Sequence, residues 1–307
     1  MLYPTGIILL LILSAVFYTA YIYHPSEKMK FRSEYLQTID SQYLSMKDFT
    51  AHFIHAGNGK PVILIHGGGT WLYSFRDNLP FLARDFSVYA VDMPGHGYTK
   101  TWLDHPRYDL EMYRRFLLEF MERQQLAKVS LIGNSWGGGW ALYFAQQHPE
   151  KVDKLVLIDS SGLSRHDAFE WEIFKYPVLG EAASKFINEA SVAFSLKKVF
   201  YDGTKVSTAM IREVAAPLRF AENRRAQCLA ERYLDWRHTI QNIKNVRSKT
   251  LIIWGRNDKY LDYHTAYQFQ KKINGSELLL LDHCGHVAHE DRPDAVNRAI
   301  AAFLHHQ

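Results

Sequence analysis

An α/β fold on a mostly parallel, doubly wound sheet is what three features of this chain predict. From residue 43 onward, short apolar runs alternate with segments whose apolar residues recur at helical spacing. Between Gly162 and Arg247 the alternation stops, and the stretch is helix-prone and rich in Phe, Trp, Tyr and Arg, so a helical insertion is expected there. Residues 1–24 are a different material, an uncharged apolar run that reads as a transmembrane helix ahead of the fold.

The anchor comes first. No charge occurs from Thr5 to Tyr23, with Tyr3 at one end and Tyr18, Tyr21 and Tyr23 at the other, as interfacial aromatics stand. A cleaved signal peptide would want a basic leading region and an A-x-A-like site, and Tyr18 spoils the one ending at Ala20. A retained single-pass anchor is therefore expected over 1–24, with a linker over 25–42. Lys28, Lys30 and Arg32 follow the span, which by the positive-inside rule puts the domain that follows on the cytoplasmic side of a membrane.

Past the linker, Tyr43 to Ala56 reads as extended and ends in the turn "HAGNGKP". The strand "VILIH" runs into Gly67-Gly68-Gly69, "SVYAVDMPGHG" is a strand entering a tight loop, and Tyr108 to Gln125 is an amphipathic helix. "KLVLIDSSG" and "TLIIWGRND" are strands on either side of the insertion, and a helix follows from about Tyr263 to Ile273. "SELLLLDHCGH" and a helix from Pro293 to Leu304 close the chain. The core thus spans 43–162 and 248–307, and the cap 163–247.

At the centre stands "VSLIGNSWGGGWALYFAQQHP", residues 129–149, where a buried strand turns at once into a helix. The turn alone explains the glycines, but not the serine. Gly133-Asn134-Ser135-Trp136-Gly137 fits the G-x-S-x-G nucleophile elbow, whose turn exposes the hydroxyl at the strand end and aims the next helix's N–H groups at it. A serine nucleophile needs a base and an orienting acid, which elbow enzymes order serine, acid, histidine along the chain. Asp258 ends an apolar strand on the same sheet edge, with Asp262 a weaker rival. His283, His286 and His289 cluster near the end, and His286 sits in the loop just past the last strand.

Composition excludes other classes. The net charge of +4 is spread without basic blocks, which gives no case for a nucleic-acid partner. The two cysteines, Cys228 and Cys284, have no metal or disulfide spacing, and the 15 histidines form no H-E-x-x-H pattern. The glycine loop lacks the G-K-[ST] of a phosphate site, and His66, Asp92 and His96 read as turn architecture.

Taken in order, "LIHGGGT", "DMPGHG", "GNSWGG", "IIWGRND" and "DHCGHVAHEDRP" resemble the α/β-hydrolase fold superfamily, serine esterase and lipase type, with a helical cap between the sixth and seventh strands. The resemblance implies that Ser135 attacks, His286 is the base at the family's G-H position and Asp258 its acid, while Asp159 is a rival because some relatives take the acid from there. It implies an oxyanion hole from the N–H groups of Gly68, with Gly69 as second choice, and Trp136. No cofactor or metal is implied. Phe169, Trp171, Phe174 and Trp236 are candidates for an acyl pocket or for the cap's own core. Anchor and cap together are similar to membrane-anchored monoacylglycerol lipases, so a small apolar ester, with lipids among the candidates, is the expected substrate. Carbon–carbon bond hydrolases share G-N-S-x-G-G, but many carry tryptophan after the histidine, where this chain has Val287. A catalytically silent, membrane-tethered binding module is the reading from another class.

Overall fold

The computed structural model describes residues 4–23, 33–163 and 169–306, without the side chains of Pro4, Phe169 and Glu170. Tyr3 and the linker cations Lys28, Lys30 and Arg32 lie outside the described residues.

Among the described residues nine strands form one sheet: β1 (Gln42–Ser45), β2 (Phe49–Ala56), β3 (Lys60–Ile65), β4 (Phe86–Val91), β5 (Lys100–Thr101), β6 (Val129–Asn134), β7 (Val152–Ile158), β8 (Lys249–Gly255) and β9 (Glu277–Leu281). Their order is β1-β2-β4-β3-β6-β7-β8-β9, with β5 beside β2. Every pair from β4 to β9 is parallel, whereas β2 is antiparallel to each of its neighbours. Alternation within the strands shows why the runs are apolar throughout: Ile63 and Ile65 join the core on one face, Val62 and Leu64 the core on the other. Helices Leu110–Arg123 and Trp136–Gln147 cover the first face, and Pro293–His305 packs on the second.

Two details differ from the sequence reading. The extended segment from Tyr43 is a hairpin, closed where Met46 N–H donates to Phe49 O at 2.9 Å; Met46-Lys47-Asp48 holds no Gly or Pro to announce it. The two-residue β5 also went unread, so the insertion falls between β7 and β8 rather than between the sixth and seventh strands. Among the described residues that insertion contains helices and no strand.

The transmembrane expectation is corrected. Pro4–Tyr21 is a helix of 18 residues, which rises about 27 Å. Among the described residues no helix is long and apolar enough to cross a membrane, so the single-pass localisation with a cytoplasmic catalytic domain falls. The helix instead rests its last turns on the cap: it contacts the helix Leu179–Ser184, and Lys185 Nζ donates to Tyr23 O at 2.9 Å.

Strand order positions the site. The chain winds from β3 outward to β4, then returns to the other side of β3 as β6. Such a reversal opens a crevice at the carboxyl ends of the two strands, where the following loops diverge. His66-Gly67-Gly68 leaves β3 there, and Ser135 leaves β6.

Candidate active site

Ser135 links β6 to the helix Trp136–Gln147 with φ 52° and ψ −122°, a strained conformation for a residue with a Cβ. The flanking glycines are steric necessities. A Cβ on Gly133 would lie 2.3 Å from Gly137 O, and one on Gly137 would lie 2.3 Å from both Ile65 O and His66 O. Strand, turn and helix are thus closer together than any side chain allows, and the strain holds the hydroxyl out. Ser135 N–H donates to Ile158 O at 3.0 Å, and Asn134 Nδ2 donates to Ile158 O and His286 O, both at 3.2 Å.

His286 meets Ser135 across the crevice. Its Nε2 lies 2.9 Å from Ser135 Oγ and its Nδ1 lies 2.8 Å from Asp258 Oδ2. A carboxylate only accepts, so Nδ1 carries the proton and Nε2 is left to take one from the serine. Asp258 is itself fixed by its turn, since its Oδ1 accepts the N–H groups of Tyr260 (2.7 Å) and Leu261 (3.0 Å). The same turn lays the Tyr260 ring against the imidazole, 5.3 Å between centroids at 19°. Tyr260 carried no signal in the sequence beyond standing two residues after the acid.

The rivals are placed elsewhere. Asp159, fully buried with φ 45°, accepts Gly255 N–H at 2.8 Å and Ala288 N–H at 2.9 Å, tying β8 to the histidine loop. Burial first and the nearby Asp258 second push its carboxyl well above the usual range. Asp262 accepts from His264 N–H at 3.0 Å and pairs with the His264 ring at 2.7 Å. His283 pairs with Tyr201 OH at 3.0 Å, and His289 is buried against Phe75 at 4.6 Å.

Beside the serine, the glycine loop comes as near as atoms permit. A Cβ on Gly67 would stand 3.2 Å from Ser135 Cβ, and one on Gly68 would stand 2.5 Å from the Trp136 ring. His66 shapes that loop: its Nε2 accepts Met93 N–H at 3.0 Å, so Nδ1 donates to Gly67 O at 2.7 Å. Asp92 accepts Leu72 N–H (2.8 Å), Tyr98 N–H (2.9 Å) and the His52 ring (2.6 Å), holding the next loop.

Above Ser135 lies a cavity of about 360 Å³, floored by Gly67–Gly69, Ser135, Trp136 and His286 and roofed by cap residues including Trp171, Phe174, Phe186, Val192 and Leu196. Gly69 has φ 69°, and a Cβ there would meet Trp171 at 2.6 Å. Trp236 does not line the cavity: it is buried under the elbow helix, where a Cβ on Gly139 would strike its ring at 2.4 Å. The Phe169 side chain lies outside the described residues. Among the described residues lining the cavity there is no Lys or Arg, and the single carboxylate, Glu290, is paired with the Arg76 guanidinium.

A family model described as alpha/beta hydrolase fold matches residues 60–185 and 215–293. The chain is 32% identical over 260 residues to a 2-hydroxy-6-oxo-6-(2'-aminophenyl)hexa-2,4-dienoic acid hydrolase of Metapseudomonas resinovorans, covering 82% of this chain and 86% of that one. It is 30% identical over 259 residues to a 2-hydroxy-6-oxo-2,4-heptadienoate hydrolase of Pseudomonas putida, covering 81% and 90%. Among solved structures it is similar to the CarC serine hydrolase involved in carbazole degradation, at a TM-score of 0.74 and 28% identity, covering 86% of this chain and 98% of that one. The two sequence relatives are dienoate hydrolases, not monoacylglycerol lipases, which corrects the finer resemblance expected from the sequence.

Proposed function

The chain belongs to the α/β-hydrolase fold family and is a hydrolase of that fold, and from that premise we propose that it hydrolyses the carbon–carbon bond of a 2-hydroxy-6-oxo-dienoate through Ser135. The observation that carries this reading is the continuous line from Asp258 through His286 to Ser135, in a chain 32% identical to such a hydrolase. In the proposed reaction His286 takes the Ser135 proton as the oxygen attacks the 6-oxo carbon. The N–H groups of Gly68 and Trp136 receive the oxyanion, with Gly69 beside them, and Asp258 holds the imidazole tautomer. The 2-hydroxyl first gives up its proton as C5 gains one, which puts the substrate in its 2-oxo form; collapse then breaks the C5–C6 bond, the electron pair leaves as a conjugated dienolate that takes the proton held by His286, and water releases the acyl group from Ser135 as a carboxylic acid.

Ester hydrolysis by the same residues is the second reading, and two observations favour it. Val287 follows the histidine, and no Lys or Arg among the described residues lines the cavity to meet a substrate carboxylate. Trp171 and Phe174 are proposed to contact the acyl group in either case. Loss of dienoate absorbance on mixing with a 6-phenyl dienoate, compared with turnover of p-nitrophenyl butyrate, tests the choice. The carbon–carbon reading predicts the larger kcat/KM on the dienoate, and butyrate turnover with an inert dienoate would refute it.

A further inference from the structure

His286 is held from two sides, one being the sheet and the other the cap. Its own N–H donates to Val199 O at 2.7 Å, and Val199 is the last residue of the cap helix Glu189–Val199. The approach is so close that a Cβ on Gly285 would lie 2.2 Å from Val199 O and 2.8 Å from Tyr201 N. Beneath this contact sits Asp291, a carboxylate with no part in the reaction proposed above and 1% exposed. Its Oδ2 accepts Gly285 N–H and Tyr201 N–H, both at 2.8 Å, and its Oδ1 pairs with Lys205 Nζ at 2.9 Å. Lys205 also donates to Asp291 O at 2.5 Å. One buried oxygen therefore ties the residue before the histidine to the cap, and the other oxygen recruits a cap cation.

We propose that Asp291 is a positioning residue that locks the cap segment 199–205 to the loop carrying His286, so that the imidazole is aimed at Ser135 only while this end of the cap is seated. The physical reason lies in the bonds. Gly285 has no side chain to fix its loop, and a shift of about 1 Å at a reacting atom can cost on the order of 10²-fold. Without the Asp291 carboxylate, the Gly285 and Tyr201 N–H groups lose their acceptor and Lys205 keeps only the main-chain oxygen, so the loop relaxes to satisfy them. The inference rests on the reading of His286 as the base of Ser135.

The test uses the full chain with a fluorophosphonate and p-nitrophenyl acetate, an ester small enough to reach Ser135 while leaving most of the cap untouched. In Asp291→Ala, the labelling rate and the acetate kcat per labelled site should both fall roughly 10- to 100-fold, with KM changed by less than about threefold. Asp291→Glu, which keeps the acceptor, should recover part of the loss. A merely structural role would lower the labelled fraction and leave kcat per labelled site intact, and that result overturns the proposal. Should Asp291→Ala fail to fold, Lys205→Met takes its place: a fall of about two- to fivefold is expected, and an unaltered rate overturns it. A wild-type chain that takes no label overturns both this inference and the hydrolase chemistry, whereas a labelled wild type beside an unimpaired Asp291→Ala overturns this inference alone.

Discussion

The rim of the sheet and the cap above it are built on different principles. At the rim, Ser135, Asp258 and His286 stand at or just past strand ends: Ser135 N–H donates to Ile158 O of β7, Asp258 Oδ1 accepts the N–H groups of its own turn, and His286 is bonded through its carbonyl to Asn134 of β6 and through its N–H to Val199. The cap is tied by side chains instead, such as Arg232, which reaches Glu181 at 2.6 and 2.8 Å, and Arg219, which reaches Glu189 at 2.6 Å. The rim faces the cavity with polar atoms and the cap faces it mainly with apolar ones. Chemistry and selectivity should therefore separate under mutation, because the two regions contribute different kinds of atom to one space.

The sharpest way to break that separation is at the elbow. Ser135→Ala should keep the fold and lower turnover by on the order of 10⁴-fold or more, since nucleophile and base act as a unit. Undiminished fluorophosphonate labelling of that variant would place the nucleophile elsewhere. Asp258→Asn comes next, with an expected loss of roughly 10³- to 10⁴-fold through the wrong imidazole tautomer. The paired control is Asp159→Asn, which still offers one accepting oxygen but leaves Gly255 N–H or Ala288 N–H unmet. It should destabilise by about 1–3 kcal/mol in denaturant titration while costing less activity than Asp258→Asn. A reversed ranking would move the acid to β7.

The contrast also explains what could be read in advance. The sheet was legible because strands buried on both faces are continuous apolar runs, as in Val62–Ile65, and because Gly133 and Gly137 admit no substitute. Ser135 was legible because it directly follows such a run, Asp258 because it stands in the loop just past another, and His286 from the loop past the last strand and the G-H position of the resemblance. Trp236 stayed open between pocket and core because composition cannot distinguish a pocket wall from the underside of a helix, and both want a large aromatic ring. Asp291 was invisible, since its partners Gly285, Tyr201 and Lys205 are joined by tertiary folding alone. The N-terminal run misled in another way: its lack of charge was clear, but among the described residues no helix is long and apolar enough to span.

Acid should sharpen the comparison from the rim side. His289 is pushed down to about 3, by burial first and then by Arg76 and His286, and both ring nitrogens are buried without a hydrogen-bond partner. The folded state then refuses a proton that the unfolded chain accepts below about 6.5. Stability held above that pH must therefore drain away as pH falls from about 6.5 toward 3. Asp159 runs the opposite way, its raised carboxyl pKa favouring the fold as it protonates. His289→Leu isolates the histidine: its melting temperature should drop less between pH 7 and pH 4.5 than that of the wild type. Equal drops would mean that His289 does not supply the acid sensitivity.

The smallest effect is expected from the cap, and it is the one most specific to the cavity. Phe186 lines the space above Ser135 yet remains 64% exposed, so truncating it should cost little packing. What Phe186→Ala removes is apolar surface that a long acyl group can cover and an acetyl group cannot reach. The kcat/KM for a p-nitrophenyl octanoate should fall about 3- to 10-fold, within the range that a few methylenes command in an apolar pocket. The acetate value should stay within about twofold, because neither the serine nor its oxyanion donors have moved. If both esters slowed equally, Phe186 would be acting on the machinery itself, and the division between a reacting rim and a selecting cap would not hold on that side of the cavity.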